Sequence, residues 1–151
     1  MPEVEGWLRL GVDLNGSLNK SNQNYYDGLG TISLADDVFL DDYYNYNSYR
    51  IRPNVSYTFA LIPLTPSFSY SYQRLDYTDR KAQSADGTYS DDNQHEVQQV
   101  TSLGLRYRLF ENCSVYTQWQ HTAVKSNNDD ESVYKYDHTV DNYYAGMSFR
   151  F

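Results

Sequence analysis

Three histidines, one cysteine, two acidic runs and a set of arginines are the side chains of this 151-residue chain suited to chemistry. A hydrolytic site needs a histidine held by an acid beside a nucleophile. His138 directly follows Asp137, and no serine stands two residues after His121. A pair formed across loops, such as His95 with Asp137, is the remaining route, and each histidine reads more simply as a polar loop residue. Cys113, beside a turn, reads as a small residue rather than a nucleophile, and a single cysteine leaves no internal disulfide. No His or Cys spacing matches a metal site. Asp91-Asp92 and Asp129-Asp130-Glu131 do not follow the calcium-loop pattern. They read as solvated loop tips, with divalent-cation binding at an outer surface as the functional alternative. No catalytic residue, metal or cofactor is assigned.

The arginines carry the stronger pattern, because strand alternation fixes their direction. In residues 7–19, Leu8, Leu10, Val12, Leu14 and Leu18 share one parity, and Arg9, Asp13 and Asn15 share the other. In residues 49–61, Tyr49, Ile51, Val55, Tyr57 and Phe59 alternate with Arg50, Arg52, Asn54 and Ser56. In residues 97–109, Leu103, Leu105, Tyr107 and Leu109 oppose Gly104, Arg106 and Arg108. A period of two is the mark of a strand with one apolar face. Arg9, Arg50, Arg52, Arg106, Arg108 and, in the last strand, Arg150 therefore belong to polar faces.

The elements that must hold these residues follow in order. Pro53 lacks a ladder donor and predicts a bulge or an edge. Residues 62–66 and Glu111-Asn112 are short turns. Phe68, Tyr70 and Tyr72 mark one returning strand, and residues 114–122 another. Long polar loops are expected at 74–95 and 123–135. Residues 29–34 form a weaker strand. Residues 35–48 admit two readings, a turn followed by a short strand at 38–44 or an irregular stretch.

Low hydrophobicity with a net charge of −8 usually signals disorder, but 17 Tyr, 6 Phe and 2 Trp oppose that reading. Tyr, Thr and alternating apolar residues favour β-structure. The acidic balance argues against nucleic acid, whose phosphates attract clustered Lys and Arg. No run approaches the ~20 apolar residues of a membrane-crossing helix. The first residues lack the basic start and apolar core of a secretory leader, so the chain reads as a mature region or a part of a longer protein.

The last nine residues decide between the β classes. Tyr143, Ala145, Met147, Phe149 and Phe151 share one parity, and Tyr144, Gly146, Ser148 and Arg150 the other. With Tyr144, Gly146, Phe149 and Phe151 in its fixed positions, this stretch resembles the terminal β-signal of bacterial outer-membrane β-barrel proteins. The resemblance implies a bacterial outer-membrane location, contact with lipid and lipopolysaccharide, and recognition by the barrel-assembly machinery. It also implies that the polar faces are lumenal.

Strands of ~9–13 residues and connections that alternate short and long agree with a membrane barrel better than with a soluble sandwich. Trp7, Phe59, Phe68, Phe149 and Phe151 are expected at the periplasmic boundary, with Tyr49, Tyr72 and Tyr143 nearer the external one. The expectation is an all-β antiparallel up-and-down barrel of about eight strands in a single domain, or the carboxy-terminal strands of a larger barrel whose upstream strands belong to the same protein. The leading function is a porin-like pore or transport barrel, with an Arg-bearing lumen and acidic external loops. The alternatives are a small plugged barrel acting through its loops and, last, a rim enzyme.

Overall fold

Alternation builds nearly every long element. The computed structural model describes residues 6–23, 25–27, 38–130 and 135–150. The strands are β1 (Trp7–Asn19), β2 (Tyr25–Asp27), β3 (Val38–Leu40), β4 (Tyr46–Thr58), β5 (Leu64–Gln83), β6 (Tyr89–Phe110), β7 (Cys113–Ser126) and β8 (His138–Phe149). No helix occurs among the described residues. Six strands form one antiparallel sheet in the order β1-β4-β5-β6-β7-β8, and β2 pairs with β3 in a separate two-stranded sheet.

The expected all-β antiparallel architecture is present, but the sheet is not a closed barrel of about eight strands. The main sheet has six, and it is open, because β1 and β8 have no pairing with each other. β2 and β3 are three residues each and pair only with one another. The weak strand expected at 29–34 lies outside the described residues.

The register sorts the side chains into rows. Leu10, Val55, Phe68, Leu103, Trp119 and Tyr143 run side by side across all six strands. One residue along, Gly11, Asn54, Ser69, Ser102, Gln120 and Asn142 form the neighbouring row on the opposite face. One face of the sheet is thus apolar and the other polar, because successive side chains point to opposite sides.

Among the described residues, no second layer packs on the apolar face. Leu10 is 71 % exposed and Tyr143 78 %, while Ala82 and Cys113 are the buried hydrophobics among the described residues. On β4, β5, β6 and β7 the apolar positions fill residues 49–57, 64–72, 101–109 and 113–121. Each stretch is about nine residues, the length a tilted strand needs to cross a bilayer.

Two expectations about local structure are corrected. Pro53 produces neither bulge nor edge: β4 lies between β1 and β5, and Val12 faces Pro53 in an unbroken register. The ladder to β5 lapses at Arg52 and Pro53 and resumes in the same register at Asn54, so the missing donor costs a local gap rather than a shift. The loop expected at 74–95 is instead a continuation of the hairpin, with β5 reaching Gln83 and β6 starting at Tyr89. Its turn closes through Gly87 N to Ser84 O (2.8 Å) and Ser84 N to Thr88 O (2.9 Å). Gly87 takes φ 82°, where a Cβ would be strained. The register slips between Asp76 and Lys81 and again before Gln83.

Beyond β7, residues 127–129 lie along this hairpin. Asn128 Oδ1 accepts from Gln83 N (2.7 Å), Asn127 Oδ1 from His95 N (2.8 Å), and Asp129 N donates to Gln83 O (2.8 Å). Gln94 and Asn128 are buried here beside Ala82. Among the described residues, Ala82, Gln94 and Asn128 thus form a small, mostly polar buried cluster in the hairpin extension above the apolar band, while Ser48, Cys113 and Thr122 are buried elsewhere in the sheet.

Candidate lumenal face and external roof

The polar face is hollow. A depression of about 440 Å³ is lined by Arg9 and Asp13 of β1, Arg52 and Ser56 of β4, and Ser67 and Ser69 of β5. It continues over Ser102 of β6 and Gln118 of β7. Five strands reach one cavity only where the sheet curves towards that side.

The register sets each sequence-predicted arginine in this face. Arg9 lies opposite Ser56, Arg50 between Asn15 and Gln73, and Arg52 opposite Asp13. Arg106 lies between Thr65 and Tyr116, and Arg108 opposite Ser114. Arg150 follows β8 and donates its backbone N–H to Asn112 O (2.9 Å).

Asp13 is an acid of the same polar parity as Arg9. Asp13 does face Arg52, yet the ion pairs among the described residues are Arg74 with Asp76 (2.8 Å) and His121 with Asp141 (3.0 Å). Below the level of Glu96, the polar strand positions carry the six arginines and one acid, Asp13. A molecule of net charge −8 thus turns a positive face to its own hollow.

At the end where β6 and β7 meet, Arg106, Arg108 and Arg150 line a second depression of about 220 Å³ with Asn112, Ser114 and Ser148, and Glu111 also reaches it.

The terminal-strand residues divide as their parity requires. Tyr144 lies opposite Gln118 and Gly146 opposite Tyr116 on the polar face, while Phe149 lies opposite Cys113 on the apolar one. Phe151 lies outside the described residues. Gly146 is needed by its neighbour: a Cβ there would stand 2.5 Å from Tyr116 Oη and 2.6 Å from Cζ, so the ring lies over the glycine. Above, Tyr49 and Tyr72 approach ring to ring on the apolar face (6.4 Å), and Trp119 faces Tyr143.

The histidines do not assemble as proposed. His95 lies opposite Asp76 in the β5–β6 ladder, and Asp137 instead accepts the backbone N–H of Ser126 (2.8 Å). His138 Nδ1 is 3.0 Å from Tyr136 O. His121 Nδ1 meets Asp141 Oδ1 (3.0 Å), which also accepts from Trp119 Nε1 (3.0 Å), all on the apolar face. No group of three potential metal ligands occurs among the described residues. Asp91 and Asp92 lie within β6, not at a loop tip, and Glu131 is outside the described residues.

One cluster escaped sequence reasoning. Arg80 on the hairpin extension places its guanidinium 4.6 Å from the Tyr43 ring centre, 5.0 Å from Tyr77 and 5.7 Å from Tyr136. Its Nη2 donates to Tyr136 Oη (2.7 Å). Tyr25 stacks on Tyr43 at 4.4 Å, and Tyr46 meets Tyr77 edge-on at 5.9 Å. Burial pushes the Tyr43 and Tyr77 phenols up to about 12, against the opposing pull of Arg80. Both lie beyond the apolar band, so the cluster forms a roof joining three connections outside it. The only sequence signal was a local excess of tyrosine.

Compared with protein families, with curated proteins and with solved structures, the chain shows no match.

Proposed function

We propose that this sheet is part of the wall of a bacterial outer-membrane barrel, a porin-like passage whose Arg-bearing lumen favours anions. The observation that carries the reading is the pair of faces: stretches of about nine residues per strand whose alternate side chains make one side apolar, and a hollow face with six arginines against Asp13 on the other. In water such an apolar face is a liability; in hydrocarbon it is the expected surface. The open edges at β1 and β8 then require further strands, because lipid offers no partners for backbone N–H and C=O groups. Upstream strands of the same longer protein supply them in this proposal, and the barrel-assembly machinery reads the terminal strand.

The β5–β6 extension supports the second reading, a surface-interaction role. It runs eleven residues past Tyr72, on the order of 30 Å at strand rise, well above the apolar band.

The test is the reversal potential of the full-length protein in a planar bilayer under a KCl gradient. Wild type should prefer chloride, and Arg50→Gln with Arg52→Gln should move the potential towards the cation-selective side. Cation preference in wild type, or no conductance at all, would overturn the pore reading and favour the surface role.

A further inference from the structure

We infer that the depression at the β6–β7 end is a binding site for a tetrahedral oxyanion, inorganic phosphate or a phosphate monoester, at the mouth of the passage. The inference rests on the lumenal reading of the polar face.

The chain fixes the site from several directions. Arg108, Ser114 and Ser148 form one lateral row, since Arg108 faces Ser114 and Ser114 faces Ser148. Arg106 lies two residues from Arg108 on the same strand and Arg150 two residues beyond Ser148, so all three point into the same side. All of them line the depression of about 220 Å³, with Asn112 at its turn. The backbone beneath is held: Arg108 N donates to Pro63 O (2.8 Å) and Arg150 N to Asn112 O (2.9 Å). The backbone bonds anchor Arg108 and Arg150 at their roots, and among the described residues the three guanidiniums form no ion pair.

The chemistry is selective. Three guanidiniums bring planar forks that bind phosphate oxygens two at a time, which a lysine cluster cannot do. The serine hydroxyls between them donate to a further oxygen. Glu111 is the one acid in the lining, leaving two positive charges in excess, as 3 − 1 = 2. That excess matches a dianion better than chloride. The depression of about 220 Å³ has room for a phosphate with part of its hydration. Neighbouring like charges repel, and an anion between them relieves this.

The experiment is titration calorimetry of the full-length protein in detergent with inorganic phosphate at fixed ionic strength, repeated with malonate. Wild type should bind phosphate saturably, with malonate weaker. Arg108→Gln with Arg150→Gln should weaken binding at least tenfold, and Arg50→Gln with Arg52→Gln, equal in charge lost, should leave it within about twofold. If the mouth double variant fails to fold, Arg108→Lys with Arg150→Lys keeps the charge and should still weaken phosphate several-fold through loss of the forks. Absence of saturable binding, equal loss in both Gln pairs, or malonate binding as tightly as phosphate would overturn the site. Anion preference in bilayers without phosphate binding removes the site and leaves the passage; binding without conductance keeps the site and removes the passage.

Discussion

At the scale of single residues, Gly146 shows how a terminal motif can have a packing reason of its own. The Tyr116 ring lies where any side chain at Gly146 would go. Gly146→Val should force the ring off its neighbour and destabilise the sheet by about 1–3 kcal/mol, the usual cost of overpacking. The midpoint of urea unfolding in micelles measures this, and Tyr116→Ala in the same chain should make the valine nearly neutral. The phase of the arginines was legible because apolar partners fixed it. The Arg80 cluster was not, because Tyr43, Arg80 and Tyr136 lie far apart in sequence and no local period joins them. Its tyrosines also give a pH dependence. With the Tyr43 and Tyr77 phenols raised to about 12, the roof is stabilised fully below pH ~10, the ordinary phenol value, and loses that stabilisation as pH rises through about 12. Hydrogen exchange at residues 43–46 should stay protected at pH 9 and quicken, beyond the chemical rate, only between about pH 10 and 12. The same quickening already complete at pH 9 would contradict the cluster.

At the scale of elements, legibility followed the apolar period of two. The first strand has the bounds read from its alternation, and the tight turn at Glu111-Asn112 lies where it was expected, between Phe110 and Cys113. The β5–β6 extension was misread as a loop for a physical reason. Above the apolar band both faces of a hairpin are polar, so the sequence there has no hydrophobic alternation to show, even though the backbone continues as strands. The small polar interior around Gln94 and Asn128 is what holds it. Pro53 was misjudged because an interior strand absorbs one lost donor by a gap on one side while the other ladder stays in register.

At the scale of the whole molecule, the proposed membrane setting accounts for six strands with an exposed apolar face, since lipid would cover the apolar rows. Strand number was the part the sequence left open, since three-residue strands such as β2 and β3 leave no periodic trace. The central claim is that the row of Leu103 and Leu105 meets lipid while that of Ser102 and Arg106 meets water. The most direct test uses full-length protein carrying Cys113→Ser, with single cysteines placed in turn at positions 102 to 106 and given a fluorescent label in lipid vesicles. Labels at 103 and 105 should be quenched by a lipid-phase quencher and those at 102, 104 and 106 by an aqueous one. Quenching of all five by the aqueous reagent alone would contradict the membrane reading, and with it the passage.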